Sequence, residues 1–298
     1  MKILCIGSSG QVAQALAVRS AQTGVNCICQ GRPELDLLSA QSVATALETV
    51  QPSLVVNAAA YTNVDQAESD RDSAFALNDT AVGQLAIKCR DRGLPLIHIS
   101  TDYVFDGTGD APWIETDATN PINTYGDSKL AGEMAIRETL AEHVILRTAW
   151  VYSPFGHNFV KTMLRLAEEQ GGATVVDDQI GAPTSALEIA DAVLAIGRRI
   201  SVSPDPASFG TYHFAAAGSA SWADVAAMIF ENYERRHRCK IKLKRIPSSD
   251  YATPAKRPLN SRLNTNKITE TFGVVPDDWK HSLEATVERL LDERAETR

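Results

Sequence analysis

The sequence predicts an α/β fold: a Rossmann-like doubly wound parallel sheet with a smaller C-terminal substrate-binding α/β domain. Three observations predict it. Short apolar runs alternate with segments of helical period through about Tyr152, the first run ends in a glycine turn that opens a helix, and the rhythm loosens afterwards.

In order, residues 2–6 read as a buried strand, 7–10 as a tight turn and 11–21 as a helix. Residues 25–29 give a second strand, 40–50 a helix, and 54–57 a third strand that runs into Ala58, Ala59 and Ala60. A helix over 79–92 closes at Gly93, and a strand over 95–100, a helix over 128–140 and a strand over 144–148 follow. Strands apolar enough to be covered on both faces argue for parallel pairing under two helical layers. The second half reads as a helix over 159–170, short strands near 174–176 and 212–214, and helices starting near Ser185 and Ser221. The stretch 246–264, with Pro247, Pro254 and Pro258, reads as a basic loop. The expected division is a dinucleotide-binding domain over 1–152 and a mainly substrate-binding domain over 153–298, with some later segments returning to pack on the first. A ligand cleft is expected between them.

Composition narrows the partners. With 44% hydrophobic and 22% charged residues the chain is globular, and its net charge of −8 offers no broad attraction to nucleic acid or to an anionic membrane. No run approaches the roughly 20 apolar residues of a membrane span, and the first residues lack the pattern of an export leader, so a cytoplasmic location is expected. Five cysteines, odd in number and without a CxxC pair, read as structural.

Gly7-Ser8-Ser9-Gly10-Gln11-Val12-Ala13 lies between the first strand and first helix, where a dinucleotide-binding turn belongs. Gly7 can take a positive φ, Gly10 lets backbone approach a pyrophosphate, and Ala13 permits close helix packing. The second strand ends in Gln30-Gly31-Arg32 where an NAD site usually carries an acid. A guanidinium pairs with a 2′-phosphate that a carboxylate would repel, so Arg32 favours NADPH, with NADH as the alternative. Asp36 and Leu37 are expected on the adenine side, although Asp36 could equally cap the helix starting near Ser39.

Tyr125 and Lys129, four residues apart, share one helix face. A fixed ammonium favours a phenolate, so Lys129 is expected to bring Tyr125 towards working pH and to donate to the nicotinamide ribose. A tyrosine so tuned can hand a proton to an oxygen that turns alkoxide-like as hydride arrives at its carbon. Thr101 and Asp102, in Ser100-Thr101-Asp102-Tyr103-Val104-Phe105, fall at the carboxyl end of a strand, where doubly wound sheets bind ligands. Thr101 is the candidate hydrogen-bond partner of the substrate oxygen.

These motifs, with Val56-Asn57-Ala58-Ala59-Ala60-Tyr61-Thr62, Val64-Asp65-x-Ala67-Glu68, Tyr125-Gly126-x-x-Lys129-x-x-Gly132-Glu133, Arg147-Thr148-x-Trp150-Val151-Tyr152, Asp178-Gln179-x-Gly181-Ala182-Pro183-Thr184 and Arg257-Pro258-x-Asn260-Ser261, run nearly end to end. On them the chain resembles the dTDP-4-dehydrorhamnose reductases of the extended short-chain dehydrogenase/reductase superfamily. The resemblance implies NADPH-dependent reduction of the C4 ketone of dTDP-4-dehydro-β-L-rhamnose to dTDP-L-rhamnose, a precursor of cell-surface polysaccharide. It implies Tyr125 as proton donor, Lys129 as its partner, Thr101 at the carbonyl, Asp102 as a positioning group and Trp150 as a wall of the sugar pocket. It also implies Gly10, Gln11, Val12, Ala60, Tyr61 and Thr62 around the cofactor. Arg257 is a further candidate, for the substrate diphosphate.

Some members hold magnesium between subunits through glutamates, at positions where this chain has Ala15 and Leu187, with Glu188 one residue off. A hard cation needs oxygen ligands, so no metal site and no metal-bridged homodimer of that type is expected, and Mg2+ is left a role only beside the substrate diphosphate. The rival readings are a nucleotide-sugar 4-epimerase or another 4-keto sugar reductase of the same superfamily, and a non-catalytic regulatory subunit.

Overall fold

The structure is a computed structural model that describes residues 1–202 and 205–296. Its chain order begins β1 (Lys2–Ile6), α1 (Gln11–Thr23), β2 (Asn26–Gln30), α2 (Ala40–Val50) and β3 (Leu54–Asn57), and continues through α3 (Val64–Ala67) and α4 (Arg71–Phe75). Next come α5 (Ala81–Arg90), β4 (Leu96–Thr101), α6 (Thr124–Thr139), β5 (His143–Thr148) and β6 (Val151–Tyr152); later short elements are β8 (Ile180–Gly181), β9 (Thr184–Ser185), β11 (Ala220–Ser221) and α10 (Asn266–Phe272). One six-stranded sheet has the order β10-β5-β4-β3-β1-β2, all parallel, where β10 is Gly210–His213. Ile3, Leu4, Leu54, Val55, Ile97 and Ile145 are wholly buried, because helices cover both faces.

One face packs on α1 and on α8 (Ala186–Val202), with Ile189, Val193 and Ile196 against Ile3, Leu16 and Leu54. The other packs on α2, α5 and α6, through Val43, Leu47, Val82, Leu85 and Ile136. Thus α8 and β10, from the second half of the sequence, complete the first half's layers. A separate core forms where α7 (Phe159–Gln170), α9 (Trp222–His237) and α11 (Trp279–Glu296) meet, around Leu164, Ile229, Phe230 and Leu283. Parallel strands β7 (Gly172–Val176) and β12 (Lys242–Ile246) flank it, and β12 ends at Ile246, where the stretch read as a basic loop begins.

Two helix starts differ from the sequence periodicity. The helix expected over 79–92 begins at Arg71 and passes through a π-helical turn over Ala76–Thr80, which shifts the apolar stripe and hides its 3.6 period. The helix expected from Ser128 begins at Thr124, because the Asn123 side chain accepts from the Gly126 N–H at 2.8 Å and Glu68 accepts from the Thr124 N–H at 2.8 Å. That extra turn places Tyr125 and Lys129 on one rigid helix.

No helix among the described residues is long and apolar enough to cross a membrane.

Candidate active site

A cleft of about 820 Å³ runs along the carboxyl ends of the strands. Gly7, Gly10, Gln11 and Val12 line one end, with Arg32, Asp36 and Leu37 at its rim. Gly7 has φ of 124°, and Gly10 caps α1 with no side chain bound to the first-turn N–H groups and no acid in that turn. The free N–H groups and positive dipole end suit a pyrophosphate. A Cβ on Gly31 would fall 2.5 Å from the Ser8 Oγ and 3.1 Å from the Ser8 backbone nitrogen, so glycine here lets the end of β2 lie close against the turn. Arg32 is exposed at that edge. Asp36 accepts from the Leu38 N–H at 3.0 Å, whereas Ser39 is the residue that caps α2. The Gln11 amide donates to the Val151 carbonyl and accepts from Ser153 and Asn158, which ties this end to the start of the second half.

Ala60 and Thr62 line the cleft, but Tyr61 does not: its hydroxyl donates to Asp70 at 3.1 Å. Its backbone is gripped instead. Asn78, in the π-helical turn, accepts from the Tyr61 N–H at 2.8 Å and donates to the Tyr61 carbonyl at 3.0 Å and to Ser128 at 3.0 Å. A Cβ on Gly132 would collide with the Asn78 carbonyl oxygen, and one on Gly126 with that of Tyr103, which explains both glycines of the Tyr/Lys motif. Gly132→Ala is therefore expected to lower stability by about 1–3 kcal/mol, read from urea unfolding.

Thr101, Asp102, Tyr125 and Lys129 meet mid-cleft, with Trp150. Burial pushes the Tyr125 phenol up to about 12, a hydrogen bond with Thr101 works the other way, and the Asp102 charge adds to the rise. The expectation that Lys129 draws this pKa down is corrected here. The lysine, 2% exposed, directs its Nζ to the Ile99 carbonyl at 2.8 Å and to His98 Nε2 at 3.1 Å. Burial lowers Lys129 to about 8, against the opposing charge of Glu133. A phenol with a raised pKa is protonated at neutral pH, which is the state a proton donor needs. Burial likewise raises Asp102 to about 6, against hydrogen bonds from Ser261 and Thr101. The Thr148 hydroxyl, on the cleft wall, is buried with no protein partner and can serve a ligand.

Trp150 has a φ of 50° and stacks on Trp222 at 3.7 Å between centroids and 11° between planes. A Cβ on Gly181 would fall 2.6 Å from the Trp150 ring, so that glycine makes room for the indole. Trp222 also lines the cleft, and sequence reasoning missed it, because the first residue of α9 carries no motif of its own. Arg257 is not among the residues lining the cleft; one arm of its guanidinium pairs with Asp65 at 2.8 Å, and its other terminal nitrogen is buried without a protein partner. Ala15 and Leu187 pack in the α1 and α8 core, and among the described residues no group of three or more His, Cys, Asp or Glu is placed to hold a metal ion.

Beneath the site, Glu133 and Arg147 are 0% and 1% exposed and pair at 2.7 Å, and Glu133 accepts from Ser100 Oγ at 2.6 Å. This ion pair fixes the end of β4 that carries Thr101.

Residues 1–292 match the family model of the RmlD substrate binding domain. The chain is 44% identical over 291 residues to a dTDP-4-dehydrorhamnose reductase of Sinorhizobium fredii, covering 98% of each. It is also 44% identical over 299 residues to one of Escherichia coli K12, again with 98% of each covered. Among solved structures, a dTDP-4-dehydrorhamnose reductase of Clostridium acetobutylicum aligns at 33% identity with a TM-score of 0.90, over 98% of this chain and 100% of that one. One from Bacillus anthracis in complex with NADP aligns at 31% identity with a TM-score of 0.87, over 97% and 100%. With the glycine turn, the Tyr125, Lys129 and Thr101 cluster and the Trp150 seat in place, the chain belongs to the dTDP-4-dehydrorhamnose reductase family.

Proposed function

We propose that this protein reduces the C4 ketone of dTDP-4-dehydro-β-L-rhamnose to dTDP-L-rhamnose, using NADPH in the cytoplasm, to supply cell-surface polysaccharide. The observation that carries the reading is the meeting of Tyr125, Thr101 and Lys129 in the same cleft as the glycine turn. NADPH supplies the hydride. The turn at Gly7 and Gly10 holds its pyrophosphate, Arg32 its 2′-phosphate, and Ala60 and Thr62 the wall beside them. Lys129 donates to the ribose, as the cofactor-side partner of Tyr125.

Thr101 hydrogen-bonds the ketone oxygen, and Tyr125 delivers a proton to it as negative charge develops. Trp150, held by Trp222, walls the sugar, and Asp102 positions it. Magnesium is assigned no seat on the protein and falls to the substrate diphosphate.

The assay is NADPH oxidation with the 4-keto sugar nucleotide generated in place, followed by product identification. Stoichiometric oxidation with dTDP-L-rhamnose formed is expected. Protein that carries tightly bound NAD and interconverts 4-epimers without consuming NADPH would be an epimerase. Arg32→Ala is expected to raise KM for NADPH by about 10- to 100-fold, as loss of a charge-assisted contact does, and to leave KM for NADH nearly unchanged. Equal effects on the two would remove Arg32 from the 2′-phosphate.

A further inference from the structure

We infer that Cys27 and Cys29 are a thiol pair that hydrogen peroxide closes to a disulfide, and that closure loosens the adjoining seat for the cofactor phosphates. Cys27 and Cys29, two residues apart on β2, project from the same face of the strand, and their sulfurs lie 3.9 Å apart. Cys5 on β1 is the register partner of Cys29 and completes a group of thiols packed against α1. The remaining cysteines stand apart, Cys89 in the core on the opposite face of the sheet and Cys239 exposed beyond the end of α9.

The position of the pair sets its order of reaction. Because β2 is the edge strand, Cys27 and Cys29 are partly exposed, whereas Cys5 is wholly buried. Hydrogen bonds from Cys27 and Cys5 lower the Cys29 thiol, against burial, while the bond to Cys29 and burial raise Cys27. Cys29 is therefore the thiolate that attacks, and Cys27 is the protonated thiol within reach of it.

Cys29 displaces hydroxide from hydrogen peroxide: the O–O bond breaks, and the sulfur gives up two electrons to become a sulfenic acid. Cys27 then attacks that sulfur. The S–S bond forms, the S–O bond breaks, and the hydroxyl group leaves as water with the Cys27 proton. Both thiols and one peroxide thus give one disulfide and two waters.

The pair adjoins the glycine turn. In its protonated form Cys29 donates to the carbonyl of Ala13, in the first turn of α1, at 3.5 Å. The next residue, Gln30, accepts from the Gly7 N–H at 2.7 Å, and Gly31 and Arg32 follow it. A disulfide needs its sulfurs at about 2.05 Å, so β2 must contract between the two cysteines. An edge strand, paired with β1 alone, can give way. Contraction takes Cys29 off Ala13 and draws Gln30 from Gly7, so the turn and Arg32 no longer face one ligand together. This last step rests on the proposed NADPH reading; the disulfide does not.

Full-length protein carrying Cys239→Ser, which removes the exposed thiol, is treated with hydrogen peroxide, alkylated and mapped by peptide mass spectrometry. The segment with Cys27 and Cys29 should lose two hydrogens and take up no alkylating agent, while Cys5 is alkylated once the protein is unfolded. Both cysteines still free, or a bridge between Cys5 and Cys29, would overturn the pairing. Fluorescence titration should show NADPH affinity lowered about 10-fold by peroxide, the loss of one charge-assisted contact, and restored by dithiothreitol. Adding Cys29→Ser should leave the untreated affinity unchanged and make it insensitive to peroxide. A bridge formed with no change in affinity would overturn the coupling to the cofactor seat. Protein that bridges but binds no NADPH even when reduced would refute the cofactor reading and leave the thiol pair standing. If Cys29→Ser does not fold, the bridge mapped without it and its reversal by dithiothreitol decide.

Discussion

Tyr125→Phe is expected to lower kcat for reduction by about 10²- to 10⁴-fold, the range that a positioned proton donor contributes. Affinity for NADPH should stay within a few-fold. The variant keeps the ring, which meets Tyr103 edge-on at 5.6 Å between centroids and 75° between planes, and removes only the hydroxyl. Since Asn123 and Glu68 cap the start of α6 independently of Tyr125, the helix itself should not move. Cofactor affinity from fluorescence titration and kcat from NADPH oxidation separate the two effects. A Tyr125→Phe enzyme with wild-type kcat would show that another group protonates the product. If the biological role survived along with that variant, the regulatory-subunit reading would gain.

The second large effect is on stability. Arg147→Met should cost about 3–5 kcal/mol, because Glu133 would be left in the interior without its main partner. Arg137 reaches the same carboxylate at 2.6 Å but is 36% exposed, so it compensates little. Burial alone would raise the Glu133 carboxyl; the hydrogen bonds and charge of Arg147, with Arg137 and Ser100, outweigh it and hold the group below its ordinary value of 4.5. A carboxyl with a depressed folded-state pKa contributes stability that is present above the unfolded value and lost as pH falls through the folded one. The wild type should therefore lose this contribution as the solution is acidified below about pH 4.5. Urea midpoints against pH measure both effects. A variant as stable as wild type at pH 7 would contradict the assigned role of the pair. Because Ser100 bonds the same carboxylate, a folded Arg147→Met enzyme should also lose activity through Thr101.

Much of this was legible in the sequence, for local reasons. Strand β1, helices α2 and α7 and strand β3 fall where apolar period and glycine punctuation put them, since each is set by its own residues. The glycine turn was legible for the same reason: its conformation needs glycine at Gly7, and it opens α1 directly after β1. What escaped was non-local. The π-helical turn shows its purpose only when Asn78 reaches Tyr61 and Ser128. The stack of Trp150 on Trp222 joins residues from the two halves of the chain. Nothing nearby in sequence revealed Asp65 as a partner of Arg257. The influence of Lys129 on Tyr125 was inferred from helical spacing, which fixes a shared face but not where an ammonium points. Here it points to the end of β4, and the phenol answers to burial first.

The account turns on one spatial claim, that the Tyr125 hydroxyl and the reducible carbon of the sugar meet in the cleft beside the glycine turn. A crystal structure of the ternary complex with NADP and the dTDP-sugar tests it directly. The account predicts the C4 oxygen within about 3 Å of Tyr125 Oη and of Thr101 Oγ1, with the pyrophosphate on the first turn of α1. A sugar ring seated elsewhere, with Tyr125 out of reach of C4, would contradict it.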